Sequence, residues 1–360
     1  MKREHLEFLK SPNSGDNPQA SQTVLQKLGW QPFFAQQTDV DQLKSNPPVR
    51  VTEVHRNGLQ VIGEDIDILI PPGPEATVGD WLLLNQEQPT RSQVLERKSL
   101  IQRRAAGHDR RVQLIAANID TAFVVTSCNA DFNIARLERY IALVLEAKVS
   151  PVIVLTKPDL TDDAEAYVEQ AQKISAAVPV VCLNAKSDEP LTMLSDWCKS
   201  GQTVAFLGSS GVGKSTLTNA LAGNDDIATQ PIREDDAKGR HTTTRRQLHF
   251  LSNGCAVLDT PGMRELQLTD AQAGISNLFS DIEDMALQCK FNDCSHQQEP
   301  GCAIIAALEN GQLEKDRLRR WQKLVAEERH NSESLAERRS RDRAFGKMVR
   351  QAQNAKNRKN

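Results

Sequence analysis

Residues 208–216 read GSSGVGKST. The apolar run TVAFLG (203–208) precedes them and a helix-forming run, TLTNALA (216–222), follows. A strand, a glycine loop matching G-x-x-x-x-G-K-[ST] and a helix in that order form a phosphate-binding loop. Gly208, Gly211 and Gly213 let backbone N–H groups turn inward on phosphate oxygens, and the helix start adds its positive end. Ser209, Ser210, Val212 and Thr216 complete the loop. Lys214 brings a point charge to the outer phosphates and Ser215 a hydroxyl to Mg²⁺. This context predicts an α/β domain.

Moving outward, apolar strands and helices alternate. TAFVVTS (121–127), PVIVLT (151–156), PVVCLNA (179–185) and TVAFLG read as strands, with helices over about 134–147 and through AEAYVEQAQKIS. Units of this kind build a mostly parallel sheet covered on both faces, with ligands at the carboxyl ends of the strands. Downstream, CAVLDTPG (255–262) is a strand ending in Asp259, placed to hold Mg²⁺ through water or a neighbour, with the Gly262 N–H near the terminal phosphate. Between them, DDAKGRHTTTRR (235–246) has the composition of a switch ordered by the γ-phosphate and metal. One of Thr242, Thr243 and Thr244 closes the metal shell; Thr243 is taken as the ligand beside Ser215.

A phosphate loop does not choose between ATP and GTP. The choice rests on VIVLTKPDLT (152–161) and LNAK (183–186). The carboxylate of Asp159 can accept from both the ring N–H and the exocyclic amine of guanine, a pair adenine lacks. Lys157 lays its stem over the base, Thr156 and Pro158 brace the loop, and Asn184, Ala185 and Lys186 place the Ala185 N–H near the guanine carbonyl. The motif order is base reader, base brace, phosphate loop, switch, metal acid. Ordinary GTPases put the phosphate loop first, so circular permutation, which joins the old ends and cuts elsewhere, is the economical explanation.

The 360-residue chain has room for several modules. Residues 1–47 read as a polar extension whose one apolar cluster is LGWQPFF (28–34). Residues 48–105 hold short strands between Gly and Pro turns, an antiparallel barrel with an OB-type fold as the leading expectation. The expected divisions are the GTPase domain over 106–270, a zinc-binding helical module over 271–335 and a basic tail over 336–360. Of seven cysteines, three fall in 289–302. CKFNDCSHQQEPGC offers Cys289, Cys294, His296 and Cys302, a closed tetrahedral zinc set with no position for water, hence structural. Cys128, Cys182, Cys198 and Cys255 read as core thiols. Net charge is −3, but 338–359 carry nine Lys or Arg against Asp342, a net of +8 that leaves −11 elsewhere. That tail suits phosphate backbones. No window approaches a membrane span and the start lacks a secretory h-region, so a cytoplasmic protein without a membrane partner is expected.

From about Pro48 to Ala307 the chain resembles the circularly permuted RsgA (YjeQ) GTPases of small ribosomal subunit biogenesis. The resemblance is carried by VGDW, RKSL, AANIDTAFVVTS, TKPD, GSSGVGKST, GRHTTT, DTPGMRE and the cysteine cluster. It implies an OB barrel, a permuted GTPase domain and a zinc module that dock together on the 30S subunit and 16S rRNA late in maturation. It also implies GTP hydrolysis stimulated by the ribosome, with His241 orienting or activating water. A monomer cycling between GTP and GDP is expected. Thr156 stands where many GTPases have Asn, Asn184 where Ser is common, and Met263 where Ras-like enzymes carry the water-positioning glutamine, so intrinsic hydrolysis should be slow. The alternatives are a zinc-containing RNA-binding module in which nucleotide only regulates affinity, and an ATP-using P-loop enzyme.

Overall fold

A computed structural model of the chain describes residues 22–104, 112–222, 246–259 and 270–332. It divides into two compact units, Met1–Leu266 and Gln267–Asn360.

The first unit is organised by one sheet of eleven strands. Its parallel part contains β8 (Thr121–Ser127), β9 (Ser150–Thr156), β10 (Val180–Leu183), β11 (Thr203–Leu207) and β13 (Ala256–Asp259). The spatial order is β10-β9-β8-β11-β13, followed by β12 (Gln247–Phe250), which is antiparallel to β13. All seven residues of β8 and all five of β11 are buried. Unbroken apolar runs such as FVV and VAFL suit strands covered on both faces. From β8 the chain steps outward to β9 and β10, then returns to β8's other side as β11. The point where strand order reverses lies between β8 and β11, where such sheets open a ligand crevice.

Helices follow from local signals. Between β8 and β9, α4 (Ile134–Glu146) starts at Asn133, whose side chain accepts the Arg136 N–H, and buries Leu137, Tyr140, Ile141 and Val144 on one face. Between β9 and β10, α5 (Ala164–Gln172) is capped by Asp163 in the same way. Before β11 comes α6 (Glu189–Met193), and after it α7 (Lys214–Ala222) buries Leu217 and Leu221.

The sheet continues past β12. Gln247 pairs with Glu53 of β1 (Pro48–His55), which in turn pairs antiparallel with β2 (Gly58–Gly63) and β4 (Trp81–Leu83). β3 (Ile66–Ile70) adds to β2 and is the terminal strand, while β5 (Gln93–Val94) pairs with β4. A separate antiparallel pair, β6 (Leu100–Arg104) with β7 (Val112–Ala117), spans the expected division between barrel and GTPase domain at 105.

Residues 22–47, read as a polar extension, hold three short helices: α1 (Val24–Lys27), α2 (Pro32–Ala35) and α3 (Val40–Ser45). Thr23 with Gln26 and Asp39 with Gln42 form capping boxes at the first and third. Trp30 meets Trp81 edge to face at 4.9 Å, and Leu28, Phe34, Ile62, Trp81, Leu83 and Leu95 form a common core.

Arg50 on β1, 2 % exposed, ties these parts together. Its Nη1 donates to the Leu28 carbonyl at 2.6 Å, and Nη2 donates to Thr203 Oγ1 at 2.8 Å and to the Asn118 carbonyl at 3.4 Å. Burial lowers its pKa to about 10, with Asp120 opposing. One guanidinium thus joins the first helices, strand β1 and the first residue of β11. Nearby Lys98 donates to Asp120 at 2.5 Å, and Asp120 accepts the Thr203 N–H at 2.8 Å.

The second unit holds α8 (Gln272–Leu278), α9 (Ser280–Ala286), α10 (Ala303–Glu309) and α11 (Lys315–Ser332). Arg317 on α11 lies over Phe279 at 4.9 Å and donates to Asp281 from Nε and Nη2 at 2.9 and 2.7 Å. Among the described residues no helix is long and apolar enough to cross a membrane.

Arg50→Met keeps bulk but removes the donors to Leu28, Thr203 and Asn118. Leaving those acceptors buried should cost roughly 3 kcal/mol, read as a lowered urea unfolding midpoint with an unchanged slope.

Candidate functional site: strand ends around the phosphate loop

The parallel strands end on the same side of the sheet, β8, β9 and β10 level with one another and β11 three residues short of them. Thr156 is level with Ser127 on β8 and Leu183 on β10, and Leu207 is level with Val124. The loops carrying TKPD, NAK and GSSGVGKST therefore leave one edge of one sheet. Asp259 ends β13, one strand from β11, with Leu258 paired to Ala205.

Gly208, Gly211 and Gly213 have φ of 145°, 78° and 100°, the left-handed side of backbone space that glycine enters freely. Gly208 also lies against β8: a Cβ there would sit 2.2 Å from the Val125 carbonyl oxygen. Val212 is 1 % exposed and roots the loop in the core beneath. Lys214 Nζ folds over the loop, donating to the Gly208 and Ser209 carbonyls at 2.9 and 2.5 Å. Ser210, Ser215 and Thr216 are exposed at the mouth.

The base-reading loop is fastened to this loop at two points. Thr156 is fully buried, and its hydroxyl lies 2.6 Å from the Val212 carbonyl and 3.2 Å from that of Thr126. Lys157, left-handed at φ 58°, sends its Nζ to the Gly211 carbonyl at 2.7 Å. Pro158–Leu160 form one 3-10 turn that leaves the Asp159 carboxylate exposed. In this geometry Thr156 is directed at protein backbone, so it braces, while Asp159 is free to accept from a base.

The NAK loop has its own scaffold. Glu189 accepts the Asn184 N–H at 2.7 Å, Asn184 Oδ1 accepts the Lys186 N–H at 3.0 Å, and Ser187 donates to the Asn184 carbonyl at 2.9 Å. Ala185 is buried in the core cluster beneath, and Lys186 is exposed. Glu189 was not singled out from sequence; its signal is the acid and proline, Glu189-Pro190, that open α6. His241, Thr242, Thr243, Thr244, Gly262 and the basic tail lie outside the described residues, as does the Asp259 side chain.

In the second unit, ligand atoms of Cys289, Cys294, His296 and Cys302 all lie within 4.8 Å of one another. Cys289 Sγ to Cys302 Sγ is 3.9 Å, and His296 Nδ1 is 3.6 Å from Cys289 Sγ and 3.5 Å from Cys302 Sγ. A zinc tetrahedron with ordinary bond lengths has S–S edges of about 3.8 Å and S–N edges of about 3.5 Å. The donor set therefore fits zinc through Nδ1. Desolvation and the neighbouring thiols Cys302 and Cys289 push Cys294 up to about 11, which a bound cation would reverse. Gly301, φ 79°, makes the turn, and Lys290 donates to its carbonyl at 3.1 Å. Glu299, missed from sequence, accepts the Ser295 hydroxyl and the Ser295, Gln297 and Gln298 N–H groups; these donors hold its carboxyl well below the usual carboxylate range.

Thr156→Val keeps shape and burial but deprives the Val212 carbonyl of its donor, at about 1–3 kcal/mol. Guanine nucleotide affinity should fall about tenfold or more in a fluorescent-analogue titration, and Thr156→Ser should recover most of it.

Residues 94–269 match the RsgA GTPase family. The small ribosomal subunit biogenesis GTPase RsgA 2 of Vibrio parahaemolyticus is 50 % identical over 329 residues, 91 % of this chain and 92 % of the relative. The small ribosomal subunit biogenesis GTPase RsgA of Mesorhizobium japonicum is 49 % identical over 321 residues, 87 % and 92 % of the two chains. Among solved structures, YjeQ from Thermotoga maritima superposes with a TM-score of 0.58 at 26 % identity, covering 78 % of this chain and 97 % of that one. YloQ, described as a circularly permuted GTPase, gives 0.55 at 25 % identity, covering 80 % and 97 %. The early base reader, the later phosphate loop and the mixed sheet that brings them together thus have their counterpart in a known permuted fold, and the chain belongs to the RsgA family of GTP-hydrolysing enzymes.

Proposed function

We propose that this GTPase binds the 30S subunit through 16S rRNA, assists its late maturation and uses GTP hydrolysis to control its release. The observation that carries the reading is the fastening of TKPD to the phosphate loop through Thr156 and Lys157. It joins a guanine-selective acceptor to a phosphate cradle, in a chain half identical to a relative named for small-subunit biogenesis.

In this reading Asp159 accepts the two guanine donors, the Ala185 N–H meets the guanine carbonyl, and Lys157 covers the base. Backbone N–H groups from Gly208 to Thr216 take the phosphates and Lys214 turns from its carbonyls to the outer phosphate oxygens. Ser215 and Thr243 ligate Mg²⁺, Asp259 supports it, and Gly262 senses the γ-phosphate. His241 orients the attacking water; with Met263 in the place of a glutamine, the switch is productive only when the subunit orders it. The antiparallel β1–β5 module serves as an OB-type barrel, the Cys₃His site holds one structural zinc, and the basic tail meets phosphate backbones. The domain divisions at 47, 105, 270 and 335 and a monomer in the cytoplasm complete the proposal.

Purified 30S subunits should raise multiple-turnover GTP hydrolysis by more than about tenfold; turnover indifferent to subunits would favour an RNA-binding module that nucleotide merely regulates. His241→Ala should slow stimulated turnover about a hundredfold or more with GTP affinity nearly unchanged; lost binding would make it structural. Stripping metal with a chelator should lower the melting transition of the second unit, with zinc restoring it. If the transition does not move, the cluster is not a structural zinc site.

A further inference from the structure

The barrel is open on one side. Directly paired residues of an antiparallel ladder share a face of the sheet, so Val61, paired with Ile68, points to the same side as it does. That side is the barrel interior, where Leu59, Val61 and Ile70 are buried together. Val61 is 0 % exposed, yet Ile68 is 44 % exposed. Cover is lost across a single strand spacing of about 4.8 Å. β3 is the last strand of the sheet and pairs only with β2 among the described residues. On the outer face its neighbour Leu69 is 56 % exposed.

The near end of this edge is acidic, while Arg56 lies in the β1–β2 turn, beside the far end of β3. From Asn57 to Thr90 the chain has no Lys or Arg and six acids, Glu64, Asp65, Asp67, Glu75, Asp80 and Glu87. Asp80 is buried and bound by Arg97. Asp67 accepts from Gln60 at 2.5 Å on the outer face, and Glu64 and Asp65 are exposed in the turn that leads into β3. Edge strands are commonly guarded by charge; here Ile68 is the centre, flanked by Asp67 and Leu69, with Glu64 and Asp65 beyond the near end.

We propose that β3 is a docking edge for an extended basic segment of a partner protein, which adds as a further strand, covers Ile68 with an apolar side chain and meets Glu64, Asp65 and Asp67 with Lys or Arg. Strand addition supplies backbone hydrogen bonds, and alternate side chains supply specificity. The acids repel nucleic-acid phosphates and the same edge of a second copy. The barrel would then have two differently charged duties, with RNA contact assigned to other surfaces and this edge to protein. The inference does not depend on how GTP hydrolysis is stimulated.

The test uses the full chain and a fluorescein-labelled peptide of alternating lysine and valine, with an alternating glutamate and valine peptide and an oligouridine as competitors. The lysine peptide should bind, weaken with added salt, and slow amide hydrogen exchange in Ile66–Ile70. Asp67→Lys combined with Leu69→Lys should weaken it about tenfold or more, while intrinsic GTP hydrolysis stays at the parent level and reports an intact fold. No binding, equal competition by the acidic peptide or by oligouridine, protection elsewhere, or unchanged affinity in the double variant would each overturn the proposal.

Discussion

The hydroxyl of Thr156, with the ammonium of Lys157, holds the TKPD and GSSGVGKST loops, the two halves of the proposed nucleotide site, in register. It is buried at the end of β9 and sits 2.6 Å from the carbonyl of Val212, in the middle of the phosphate loop. Those residues are 56 apart in sequence. A base reader has value only within the reach of one nucleotide from the phosphate cradle, because the ribose and its bonds bound the distance between base and phosphates. The parallel register of β8, β9 and β11 sets that distance coarsely, and the Thr156 and Lys157 contacts set it finely. Nothing in this geometry depends on which loop comes first along the chain, and for that reason permutation preserves it. Threonine in place of asparagine is accommodated on the same terms: one short donor suffices where the acceptor carbonyl comes close.

The permuted order changes what the sheet is attached to. β12 lies between β13 and β1, and the Glu53–Gln247 pairing makes the antiparallel strands β1–β5 continuous with the parallel sheet. Arg50 adds a second connection, from Leu28 through the barrel to Thr203 at the start of the phosphate-loop strand. A guanidinium this deeply buried is costly unless its donors are met. Its two Nη groups reach acceptors on three separate segments, while Nε has no partner among the described residues, so the guanidinium ties the first helices, β1 and the parallel sheet within one compact unit.

Much of this was legible in the residues. The runs FVV, VIVL and VAFL announce buried parallel strands, and the loop glycines, TKPD and the cysteine spacing each carry their own chemistry. What stayed hidden depends on partners far away in sequence. LGWQPFF looked like an isolated apolar patch in a polar leader, because its partner Trp81 lies some fifty residues on. QLHF offered no reason to be a strand until β1 and β13 flanked it. The β6–β7 pair was obscured by its charged residues, since RKSLIQRR lacks a clear apolar alternation. Glu189 and Glu299 are ordinary surface acids until the N–H groups they accept are seen.

The central claim is that Asp159, early in the chain, reads the base of a nucleotide whose phosphates lie in the later GSSGVGKST loop. Competition binding of GTP, ATP and xanthosine triphosphate to the parent protein and to Asp159→Asn tests it most directly. The account predicts that GTP excludes ATP in the parent and that the variant prefers xanthosine triphosphate, whose carbonyl can accept from the new amide. An unchanged nucleotide preference in the variant would contradict it.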